Sequence, residues 1–210
     1  MPQGILFSHV RPRVGEGVDF IFRTDTGEEI SLTLPDEIYL EWQGRIGECI
    51  SDEDFAYLEK EAETYSAVLR GINLLDFGDA TVTSMTRKLR GKGFSPAAAH
   101  SAAEILAERG LINEIRYARR AVRYYIEKKN YGRSRIISEM YAKGFSRETV
   151  DDVMDEVPND AFIAACRAMI AKKYGGSLPD DPDNRRRAIA ALFRYGFSRG
   201  EISIAVSEKE

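Results

Sequence analysis

Histidine and cysteine are almost missing from this chain, with two of each among 210 residues. His9 and His100 lie far apart, and Cys49 and Cys166 have no recognisable partner by spacing. There is no HExxH pair, no doubled CxxC and no Walker-type phosphate loop. This scarcity predicts a protein that is not an enzyme, with no metal site and no cofactor. His100 stands in an alanine-rich stretch and reads as a spacer, not a general base. The remote cysteines point to reduced thiols in the cytoplasm. Long apolar runs are lacking too. None approaches the ~20 residues of a membrane span, and Met1 to Val10 has neither the basic start nor the apolar stretch of a signal peptide. The expectation is a cytoplasmic monomer without a membrane partner.

Net charge is small, at −4, but unevenly placed. Residues 1–80 carry 6 basic and 17 acidic side chains, a balance of −11. Residues 81–150 carry 15 and 6, a balance of +9. Residues 151–210 carry 9 and 11, a balance of −2. The total argues against a protein that coats nucleic acid. The middle third can still draw in an anionic surface, because local field guides association.

One phrase occurs three times. It reads Lys92-Gly93-Phe94-Ser95, Lys143-Gly144-Phe145-Ser146 and Tyr195-Gly196-Phe197-Ser198, with glycines 51 and 52 positions apart. Such recurrence marks a supersecondary unit stacked in tandem. The glycine ends one helix in a left-handed conformation. The serine caps the next helix, with a capping-box spacing from Ser198 to Glu201 and Pro96 at a first helical position. Apolar residues agree across the copies: Leu89, Met140 and Leu192 four before the glycine, Met85, Ile136 and Ala188 eight before. Ala99, Val150 and Ile202 lie six after it, and Ala102, Val153 and Ala205 nine after. Steps of three and four mark one buried helix face, and the phenylalanine reads as a wedge between helices. A third helix precedes each pair, over Glu53–Leu75, Ile112–Lys129 and Ala161–Lys173. The second of these is expected to start near Asn113 and to be followed by Gly132.

Residues 1–50 differ. Val18–Thr24 and Glu29–Leu34 are strand-like around the turn signal Asp25-Thr26-Gly27-Glu28, Ile5–Val10 offers a further strand, and Pro35 stops the last one. So small a sheet is expected to lean on the first repeat. The predicted fold is mainly α, with three tandem three-helix repeats in an elongated array after a small N-terminal β-hairpin element. The expected divisions are 1–50, 51–109, 110–158 and 159–210.

The segment with most surface information is Arg116 to Tyr125. Arg116, Arg119, Arg120 and Arg123 fall at i, i+3, i+4 and i+7 and share one helical stripe. Lys128, Lys129, Arg133 and Arg135 carry positive charge into the next helix. Arginine forks suit phosphates and carboxylates, which makes these eight residues a candidate docking surface. The same stripe also reads as a solvated helix face, but no carboxylate interrupts it. Tyr117, Tyr124 and Tyr125 read as core or rim. A second run, Arg185-Arg186-Arg187, follows an acidic loop that could neutralise it.

Taken together, these features resemble the RecX family of bacterial regulators of the RecA recombinase. The repeat carries the likeness, with Gly110-Leu111-Ile112-Asn113-Glu114-Ile115-Arg116-Tyr117-Ala118 and the β segment running into Ile50-Ser51-Asp52-Glu53-Asp54. Asn113 stands where the family more often has Asp, and the Gly175–Asn184 loop is longer. The resemblance implies binding to RecA filaments on single-stranded DNA, in their helical groove, with inhibition of recombinase, ATPase and co-protease activities. It also implies weak direct DNA binding. Two rivals remain: a helix-turn-helix-like DNA-binding protein acting without RecA, and a helical scaffold for another partner.

Overall fold

The structure, a computed structural model, describes residues 5–13 and 17–207. The expectation about Met1–Val10 as a leader therefore falls partly outside the described residues. The chain divides into two compact units, residues 1–112 and 113–210.

The first unit opens with four antiparallel strands in the order β3-β2-β1-β4. They are β1 (Ile5–Arg13), β2 (Gly17–Arg23), β3 (Glu29–Leu34) and the two-residue β4 (Cys49–Ile50). β2 is central and buried on both faces except at Arg23. Its Phe20 and Phe22 stack on Phe7 of β1 at 4.8 and 5.1 Å between ring centres. The register shifts between Phe7 and His9, a bulge that bends the sheet. Two elements were not expected. β4 is too short to carry a pattern. Helix α1 (Asp36–Trp42) begins directly at Pro35, whose φ of −69° ends the strand and suits a helix start equally. The sheet closes on α2 (Asp52–Leu75), through Phe55, Leu58 and Ala62, as so small a sheet requires.

Three helix triplets follow from the repeat. In the first unit α2 packs with α3 (Val82–Arg90) and α4 (Pro96–Glu108). The second unit holds α5 (Glu114–Glu127), α6 (Arg133–Ala142) and α7 (Arg147–Asp155), then α8 (Asn159–Tyr174), α9 (Pro182–Arg194) and α10 (Arg199–Ser207). Gly93, Gly144 and Gly196 all take positive φ, at 98°, 86° and 92°, which only glycine adopts without cost. Ser95 Oγ accepts from Ala98 N and Ser146 Oγ from Thr149 N. Ser198 and Glu201 form the reciprocal capping box at 3.2 and 2.6 Å. All twelve repeated apolar positions are buried, and Leu89, Met140 and Leu192 are fully so. Each fully buried side chain of this size contributes about 1.5–3 kcal/mol relative to exposure. Phe145 and Phe197 are buried wedges, while Phe94 is half-buried.

Gly132 follows α5 as expected, but as the N-cap of α6 and not as the residue that ends α5. Its φ is −82° and it begins α6. The left-handed residue after α5 is Asn130, at φ 52°. Gly132 is small for another reason: its N–H donates to Tyr195 O at 2.8 Å, and an added Cβ would lie 2.3 Å from Gly196 C. The second and third triplets meet backbone to backbone here.

A basic face on the second helix triplet

Helix α5 places the candidate residues. Asn113 caps it, its side-chain oxygen accepting from Arg116 N at 2.9 Å. Ala118, Ala121, Val122 and Tyr125 turn inward, so the arginine stripe must face out. Arg116, Arg119, Arg120 and Arg123 are all exposed, as are Lys128 and Lys129 beyond the helix end.

The eight candidates divide by what they touch. Arg119 forks onto Glu156, its Nε donating to Oε2 at 2.8 Å. That hydrogen bond and charge hold the guanidinium above its ordinary pKa and Glu156 below the usual carboxylate range. Both groups are about half exposed, so water and salt screen the pair. Arg133 is half-buried, donating to Met154 O at 3.1 Å and lying 4.6 Å above the Phe162 ring. Arg135 pairs with Glu139 at 2.7 Å and sits over Tyr131. These three have structural partners. Arg116, Arg123 and Lys128 have no ion-pair partner among the described residues, and Lys129 leans on the Tyr124 ring at 5.6 Å. Arg116, Arg120, Arg123, Lys128 and Lys129 make up the exposed remainder of the eight.

Shallow grooves flank the stripe. One, of about 270 Å³, lies toward α7 and includes Arg119, Arg123 and Glu156. The other, of about 330 Å³, is lined by Tyr117, Arg120, Tyr124, Tyr125 and Lys143. Lys143 belongs to the repeat phrase and was not among the sequence candidates. It donates to Tyr117 Oη at 3.5 Å. Burial pulls its ammonium down, but the Tyr117 and Tyr125 phenols outweigh this and leave its pKa above the ordinary lysine value. Tyr125 is buried, and burial pushes its phenol up against the opposing pull of Lys143. Tyr124 stands 47 % exposed at the rim. Exposed guanidinium groups beside an aromatic rim are of the kind that pair with carboxylates and phosphates.

His100 is exposed and pairs with Glu104 at 3.3 Å. Cys49 is exposed and Cys166 buried. No group of three or more His, Cys, Asp or Glu among the described residues could hold a metal. No described helix is long and apolar enough to cross a membrane.

Comparison with known proteins adds three findings. Residues 113–154 match the family model described as the second three-helix domain of RecX, which spans α5 to α7. Two curated relatives are named regulatory protein RecX. The one from Halorhodospira halophila is 30 % identical over 149 residues, covering 70 % of this chain and 91 % of its own. That from Pseudomonas fluorescens is 31 % identical over 149 residues, covering 70 % and 95 %. A crystal structure of regulatory protein RecX superposes with a TM-score of 0.75 at 16 % identity, over 97 % of this chain and 98 % of that one. The crystal structure of RecX from Lactobacillus salivarius gives 0.60 at 18 % identity, over 68 % and 94 %. The two structures establish likeness of fold.

Proposed function

The chain belongs to the RecX family of regulatory proteins, and from that premise we propose that it regulates RecA by binding the RecA filament on single-stranded DNA. Its binding lowers ATP hydrolysis, strand exchange and co-protease activity. The α5 face makes the contact. The observation that carries this is the run of Arg116, Arg120, Arg123, Lys128 and Lys129, exposed on one side of the triplet that matches the family model. A filament of protein on DNA presents both carboxylates and phosphates, and several weak contacts to repeated subunits add through effective concentration. Binding one filament state more tightly than another shifts the population by that difference in affinity. The chain works in the cytoplasm, as a monomer and without catalysis.

Direct base reading is the weaker alternative. The inner face of α4 is Ala98, Ala99, Ala102 and Ala103, all buried. On α7, Asp151, Asp152 and Asp155 set negative charge toward any phosphate backbone.

The test is RecA ATPase on single-stranded DNA, titrated with the wild-type chain and with Arg116→Ala/Arg123→Ala/Lys128→Ala. The wild type lowers the rate, and the triple variant needs about tenfold more protein for the same effect. Equal inhibition by both removes the site. No inhibition by the wild type removes the function.

A further inference from the structure

The third triplet carries an open groove whose counterpart in the second triplet takes in a phenylalanine at one end. The groove encloses about 570 Å³ between α9 and α10, and Arg185, Ile189, Phe193, Arg199, Ile202 and Val206 line it. Each of these stands 52 positions after a residue of the second triplet: Arg133, Ile137, Tyr141, Arg147, Val150 and Met154. In the second triplet the ring of Phe162 from α8 is wholly buried in that core. Arg133 lies over it at 4.6 Å while donating to Met154 O at 3.1 Å. The occupant is thus the first turn of a helix, acidic at Asp160 and aromatic at Phe162.

The equivalent groove has no such occupant among the described residues. Phe193 is 47 % exposed, much as its counterpart Tyr141 is at 45 %, so the two grooves differ at the end where Arg133 covers Phe162. The charge of this groove also differs from that of the second triplet. There Arg147 pairs with Asp151 at 3.4 Å. In the third triplet serines, Ser203 and Ser207, replace Asp151 and Asp155. Arg185 and Arg199 remain, with no ion-pair partner among the described residues. The groove keeps its apolar floor and both cations and loses both anions.

The geometry points to a second binding site, in which the α9–α10 groove receives the first turn of a partner protein's helix carrying a carboxylate and a phenylalanine. The aromatic ring fills the apolar floor beneath the Arg185 guanidinium, as Phe162 does beneath Arg133. The carboxylate meets Arg185 and Arg199 at the rim. Buried aromatics with complementary charge around them carry most of the affinity of such contacts. This site is separate from the α5 face and does not depend on the RecA reading.

The probe is a fluorescent peptide of residues 156–174, with Cys166→Ser, which reproduces the internal occupant. Its anisotropy is followed on titration with the full chain. The wild type binds it, a Phe162→Ala peptide binds at least about tenfold more weakly, and an Arg185→Glu/Arg199→Glu chain loses a similar factor. A Phe193→Asp chain, changed only at an exposed side chain, also loses binding while keeping its circular dichroism. No binding by the wild type overturns the proposal. So does equal binding by the Phe162→Ala peptide, or equal binding by the Phe193→Asp chain, which would mean that the peptide replaces α8 in its own core. Loss of oligo-dT binding in the arginine variant, without peptide binding to the wild type, would make the groove a nucleic-acid site and also overturn it.

Discussion

Gly132 and Gly200 show how differently one residue type can be constrained. A methyl at Gly132 meets the backbone of Gly196 at 2.3 Å, and backbone cannot swing aside. Gly132→Ala is expected to cost about 1–3 kcal/mol, the usual range for forced overpacking. Gly200 lies in α10 with nothing within 4 Å of its added Cβ. Gly200→Ala is expected to stabilise by roughly 0.5–1 kcal/mol through helix propensity. Urea denaturation of the two variants checks the opposite signs. The cysteines make a second contrast. Burial pushes the Cys166 thiol from 9.0 up to about 11. At pH 8 iodoacetamide therefore labels exposed Cys49 and spares Cys166 in the folded chain, as mass spectrometry of the peptides would read. Because the folded value lies above the unfolded one, the stability from a neutral Cys166 is complete below pH 9. It fades as the pH rises from there toward 11. Cys166→Ala should flatten that part of the alkaline loss, and an unchanged slope would contradict it.

At the level of elements, local chemistry sets the boundaries. Ser146 caps α7 through Thr149 N at 3.1 Å, and Ser146→Ala is expected to cost about 1 kcal/mol, seen as a lower thermal midpoint. Helix ends of this kind were legible because cap, glycine and apolar spacing all lie within a few residues of each other. The buried faces were legible for the same reason, since Met85, Ile136 and Ala188 recur in phase. Helix α1 was not, because seven residues after a strand give too short a period to read. Glu156 as partner of Arg119 was also hidden, since it lies 37 positions along the chain and only packing unites them. Gly132 was legible as a glycine but not as a close approach, because its neighbour Gly196 belongs to the next triplet. At the site, the stripe followed from the helical period. Its division into tied and outward cations followed from tertiary contacts at Arg119 and Arg133 and from a local i,i+4 pair at Arg135.

On the scale of the whole molecule, the charge imbalance and the family membership converge on the second unit. The matched family segment, residues 113–154, contains all eight basic candidates. Of these, Arg119, Arg133 and Arg135 hold structural partners, while Arg116, Arg123 and Lys128 are exposed with no ion-pair partner among the described residues. Exposed charges are screened within about 8 Å at physiological salt, so a contact built on them must weaken as salt rises. Binding to RecA filaments on single-stranded DNA should then fall steeply between low and moderate salt. Arg116→Ala/Arg123→Ala/Lys128→Ala should reduce both affinity and the steepness of that fall. The most direct measurement is co-sedimentation of the chain with such filaments across a salt series, wild type beside the triple variant. The account predicts salt-sensitive pelleting that the variant largely loses; pelleting by the two proteins that is equal and indifferent to salt would contradict it.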